Sequence, residues 1–127
     1  MTSEWTLVRL ELARCPEFPE GSRTHVYLLR LPLTRDGVID EPTLERDPQL
    51  ATVHRVWPRD PDLSGYLLRK PGGWAFSYAL GDEDDESIFH LETHALTTGG
   101  YVTIQETDGR RLPFRVVHSV PDGAGIL

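Results

Sequence analysis

The chain has 127 residues and a formal net charge of −7, of which Asp82, Glu83, Asp84, Asp85 and Glu86 supply five negative charges in one run. That length suits a single domain with one core, and the acidic balance, with one lysine (Lys70) and no basic cluster, argues against a phosphate-backbone partner. Cys15 is the only cysteine, so no internal disulfide can form, and no apolar run approaches the ~20 residues of a membrane-spanning helix.

Glu4 and Arg9 interrupt the start of the chain where a secretory signal needs an unbroken apolar stretch, so the expected compartment is the cytoplasm. Residues 4–12 alternate: Thr6, Val8, Leu10 and Leu12 fall on one side, Trp5, Leu7, Arg9 and Glu11 on the other, which predicts a half-buried first strand. Pro16, Pro19 and Gly21 then break the pattern. Residues 25–33 hold five aliphatic side chains and Tyr27, a density expected of a strand covered on both faces.

Thr34-Arg35-Asp36-Gly37 reads as a turn, and residues 36–49 as one long surface loop in which Asp40 can cap a short helix with Pro42 near its start. From 52 to 120 the chain repeats strand and turn about six times. Lys70-Pro71-Gly72-Gly73 predicts a tight hairpin, and Asp108-Gly109 a second one through a type I′ turn. In the second arm of the first hairpin, Trp74, Phe76, Tyr78 and Leu80 share one face. Residues 121–127 read as a frayed tail.

The expectation is an all-β single domain over residues 1–127: an antiparallel meander of about eight strands closing into a small barrel, with a β-sandwich as the alternative.

Three groups of residues could carry function. His90, Glu92 and His94 occupy alternate positions of one strand, a spacing that lets imidazole and carboxylate meet a divalent metal, with His25, His54 or His118 as further ligands. The same alternation sends Phe89 and Leu91 inward and these three outward, which favours a solvated face. Trp74, Phe76 and Tyr78 could line a pocket for a small apolar ligand, against the competing reading of a filled core.

Arg9, Arg30, Arg55, Arg69 and Arg115 lie on separate strands. The expected arrangement is outward, in cross-strand ion pairs with Glu11, Glu92 and Glu106, because unpaired charge is rarely buried; inward they would hold an anionic ligand such as a carboxylate. The acidic run 82–86 lacks the glycine and the closing glutamate of a helix-loop-helix calcium site, and reads as a solvated loop. Cys15 has no base beside it in sequence, and no serine sits in a Gly-x-Ser-x-Gly setting.

The chain carries no cofactor fingerprint. Its expected role is a non-catalytic binding module for a small apolar ligand or a protein partner, with a metal-dependent enzyme using His90, Glu92 and His94 as the alternative. Self-association through the edge of the strand from Trp5 to Leu12 is a third route.

Overall fold

The computed structural model describes residues 4–71, 73–78, 86–89, 95–106 and 108–122, with residues 86–89 described by their backbone alone. Among them run eight strands: β1 (Glu4–Leu12), β2 (Ser22–Leu33), β3 (Thr52–Val56), β4 (Leu63–Lys70), β5 (Gly73–Ser77), β6 (Glu86–Phe89), β7 (Tyr101–Gln105) and β8 (Arg111–Pro121). Each pairs antiparallel with the next in sequence, as short connections dictate.

The last strand then returns to the first, with Thr6 opposite Pro121 and Leu12 opposite Phe114, and the sheet closes. This seam decides for the barrel and against the sandwich. It also occupies both sides of β1 from Thr6 to Leu12, where the strand pairs with β2 and β8, so an edge-to-edge dimer through that stretch would have to displace a neighbouring strand.

Alternation fills the interior. Val8, Leu10 and Leu12 of β1 are buried, as their shared parity requires, and meet Tyr27, Leu29 and Leu31 of β2, Val53 of β3, Leu67 of β4 and Phe114 of β8 in one continuous core. Side chains of this size contribute about 1.5–3 kcal/mol each on full burial. Val26 and Pro32 are buried as well, so β2 is covered on both faces over part of its length. Strand β5 goes further, with Trp74, Ala75, Phe76 and Ser77 all buried.

The connection from β2 to β3 follows the expected pattern. Gly37 takes a φ of 84° and donates to Thr34 O, closing the turn. Asp40 caps helix α1 (Glu41–Arg46), accepting from Thr43 N, with Pro42 in the first turn where its missing N–H is harmless. The connection is more than a surface excursion: Ile39 and Leu44 are buried and join the barrel core.

Two expectations are corrected. The turn at Asp108-Gly109 is one residue longer than type I′: Glu106 N donates to Arg110 O, Gly109 N to Glu106 O, and Gly109 has a φ of 89°. The reason lies in the pleat. Ile104 and Leu112 both face inward and sit opposite each other, whereas a two-residue turn would slide Leu112 opposite the outward Gln105. At the chain's end, Pro121 pairs with Thr6, and Asp122 accepts from Arg30 Nε at 2.8 Å, so these two residues belong to the barrel rather than to a frayed tail.

Two irregularities interrupt the pairing of β1 with its neighbours. Between β1 and β2 the register jumps from Glu11–Val26 to Leu12–Ser22, which pushes Arg23, Thr24 and His25 out of the ladder. Between β1 and β8 it jumps from Arg9–His118 to Leu10–Val116, leaving Val117 as an extra residue. Such bulges bend a strand and re-aim its side chains.

Candidate functional site

His90, Glu92 and His94 lie outside the described residues, as do Asp82, Glu83, Asp84 and Asp85. Among the described residues no group of three or more His, Cys, Asp and Glu side chains is placed to hold a metal ion. The further histidines are dispersed. His54 is exposed on β3, with Nδ1 2.8 Å from Ser64 Oγ, and His118 is exposed on β8.

Of the aromatic trio, Trp74 and Phe76 sit inside the core, where the Phe76 ring packs 5.2 Å from that of Tyr27, while Tyr78 is partly buried against the same core. The indole Nε1 of Trp74 is buried and meets no acceptor among the described residues.

Polar chemistry concentrates at the mouth where β2 begins and β3 ends. Tyr27 and Arg55 are cross-strand partners, and both reach Glu106 just beyond β7. The Tyr27 hydroxyl donates to Glu106 Oε2 at 2.8 Å, and Arg55 Nη2 donates to Oε1 at 3.0 Å, so each carboxylate oxygen carries a donor. Glu106 is only 4% exposed.

Arg55 is held from two further sides. Its guanidinium carbon stands 3.7 Å from the Trp57 ring centroid, a cation–π contact, and Nη1 lies 3.5 Å from Asp60 at the solvent rim. The arrangement matches a buried carboxylate with a largely covered cation.

His25, pushed out by the first bulge, lies between Phe18 and Trp57, with both ring centroids 4.7 Å away, and its Nδ1 is 2.7 Å from Ser22 Oγ. Burial and then the positive charge of Arg55 hold its pKa below the usual 6.5, with Arg110 acting the same way; Asp60 and Glu106 oppose them.

The unfolded chain therefore binds the His25 proton more readily than the barrel does. Stability from this residue is present above pH 6.5 and declines as pH falls through that value towards the lower folded pKa. Thermal melts from pH 5 to pH 7 should show a rise in stability that flattens in His25→Gln; an unchanged slope in the variant would show that other groups drive it.

A second polar feature lies on the outer wall. A groove of about 620 Å³ runs over β1 and β8 beneath the loop between β1 and β2, with Arg14, Arg23, Arg115 and Tyr101 among its lining residues. Both bulges border it, since Arg23 comes from the first and Val117 is the extra residue of the second. A groove of about 430 Å³ at the opposite end of the barrel is lined by Glu4, Thr34, Arg35 and Ser119 among others.

No protein-family model, no curated protein and no solved structure matches this chain. Its own residues must carry the functional reading.

Alternation contained the mouth cluster in advance. Val53, Arg55 and Trp57 share one parity, as do Val102, Ile104 and Glu106, so both charged residues stand at the inward end of a strand whose other inward positions are apolar. The outward pairing expected for Arg55 and Glu106 is corrected: the two do pair, but on the inner side of the mouth, and the carboxylate held is the chain's own rather than a ligand's. The wall groove had no comparable signal, because Arg14 and Arg23 lie where the strand period is broken.

Proposed function

We propose that this protein is a non-catalytic binding module that engages a protein partner from the outside of the barrel. The observation that carries the reading is the occupied interior: Tyr27, Phe76 and Phe114 are each at most 1% exposed, and the Tyr27 ring packs on both of the others. A small barrel filled in this way has its walls and mouths to offer.

The closed Tyr27–Glu106–Arg55 network supports the non-catalytic part, since its carboxylate is already matched by a cation and a hydroxyl. The reading includes a cytoplasmic location, supported by the free thiol of Cys15, and no helix among the described residues is long and apolar enough to cross a membrane.

Titration with a neutral apolar dye such as Nile red tests this against a small apolar ligand bound near Trp74, Phe76 and Tyr78. The expected result is no saturable quenching of tryptophan emission; saturable quenching would replace a protein partner by an apolar ligand. Elemental analysis of protein purified without a histidine tag separates off the metal-dependent enzyme. Near-stoichiometric zinc, iron or manganese would establish that alternative, and the expected content is far below one ion per chain.

A further inference from the structure

Most arginines of this chain are engaged. Arg9 pairs with Glu11 at 3.0 Å, Arg30 with Asp122, Arg55 with Glu106, and Arg110 with Asp108 at 2.7 Å. The guanidinium groups of Arg14, Arg23 and Arg115 have no ion-pair or hydrogen-bond partner among the described residues and are exposed, as are those of Arg35 and Arg59, but only these three converge on one groove.

These three line the same wall groove. Each comes from a different segment: Arg14 from the loop after β1, Arg23 from the bulge in β2, and Arg115 from β8, where it lies between Glu11 and Tyr101 on the neighbouring strands. Glu11 is already claimed by Arg9. Counting Arg9 with the groove's three arginines, against Glu11 and Glu20, gives a local charge of +2, which leaves −9 for the rest of a chain whose total is −7.

We infer that this groove is the docking site for an acidic peptide segment of a partner protein, its carboxylates met by Arg14, Arg23 and Arg115. The inference rests on the surface-binding reading and names the chemistry of the partner.

Three observations favour that occupant. Guanidinium groups present paired donors that match the planar carboxylate, and three of them lacking partners in an otherwise acidic protein form a complementary patch. They are exposed and drawn from separate segments, as suits an extended chain lying along the wall. Tyr101, 57% exposed at the groove's side, adds an amphipathic ring of the kind enriched where proteins meet. A nucleic acid strand fits less well, because its charge continues past the groove into a surface of its own sign.

The test uses the intact protein and a fluorescently labelled oligoglutamate peptide, read by anisotropy, with a matched oligoglutamine peptide as control. The glutamate peptide is expected to bind and the glutamine peptide not to. Binding should weaken as ionic strength rises from about 0.01 M to about 0.15 M, where the screening length shortens from about 30 Å to about 8 Å.

The triple variant Arg14→Gln, Arg23→Gln, Arg115→Gln should lose about tenfold or more in affinity while keeping the far-ultraviolet spectrum and melting temperature of the parent. A second variant, Arg35→Gln, Arg46→Gln, Arg69→Gln, removes the same charge elsewhere and should bind as the parent does. Equal loss in both variants would show diffuse attraction and overturn the site. So would tighter binding of inorganic phosphate or of a single-stranded oligonucleotide, which would assign the groove to phosphate. Failure of every anionic probe, with the apolar dye also failing to quench, would overturn the acidic class and leave the protein-partner reading standing.

Discussion

Glu106→Ala should destabilise the barrel by about 3 kcal/mol or more, lowering the melting temperature by roughly 10 °C. Alanine would strip the matching charge from Arg55, whose side chain is 12% exposed, and the acceptor from the Tyr27 hydroxyl. Asp60, at 3.5 Å and half exposed, and the Trp57 ring offset part of that cost, which places the estimate near the lower end for a broken buried pair.

Two companions separate the causes. Tyr27→Phe removes one hydroxyl and should cost about 1 kcal/mol. The double variant Glu106→Leu, Arg55→Met removes both charges and should recover most of the stability lost by Glu106→Ala. Urea unfolding of the four proteins measures this directly, and a double variant as unstable as Glu106→Ala would show that the loss comes from a cavity rather than from a stranded cation.

Gly65→Ala should cost a similar amount, about 3 kcal/mol, for a wholly steric reason. A Cβ at position 65 would collide with Ser77 O and lie 2.8 Å from Ser77 C and 2.9 Å from Tyr78 Cα. These are backbone atoms at the end of β5 and of the residue after it, held by the pairing of Tyr66 with Ser77, and no rotamer change moves them aside. Gly109→Ala is the informative comparison. Its Cβ would meet nothing within 4 Å, and only the φ of 89° opposes it, so about 1 kcal/mol is expected. If both glycine variants unfolded at the same urea concentration, the close approach of β4 and β5 would not be the reason position 65 holds glycine.

The pairing of Glu106 with Arg55 was legible but its side was not: the rarity of buried charge argued for the outer face, whereas parity followed to the end of each strand would have placed both inward. The same parity governs the longer turn at 106–110. Inward Ile104 and Leu112 must face each other, and that requirement excludes a two-residue connection whatever Asp-Gly prefers locally. Local turn propensity, worth a fraction of what register is worth in a core, lost to it.

Other features had no signal to read. That β8 returns to β1 depends on pairing between segments about a hundred residues apart, which alternation within either strand does not encode. The burial of Ala75 and Ser77 on the second face of β5 is likewise set by what lies over the sheet. Bulges are the clearest case. They shift register by one or more residues without a distinctive residue type, and here they decide that Arg23 borders the wall groove and that His25 meets Trp57.

The seam between the first and last strands also carries the largest chain-closure cost in the barrel. Its contacts span nearly the whole chain, so the loop-closure entropy they must overcome is the largest of any strand pair, and topologies of this kind fold slowly. The wall groove straddles that seam, with Arg14 following β1 and Arg115 within β8. During synthesis the two halves of the groove are manufactured roughly a hundred residues apart. Until the closing strand docks there is no such surface, so a chain whose barrel is unsealed lacks the means to bind.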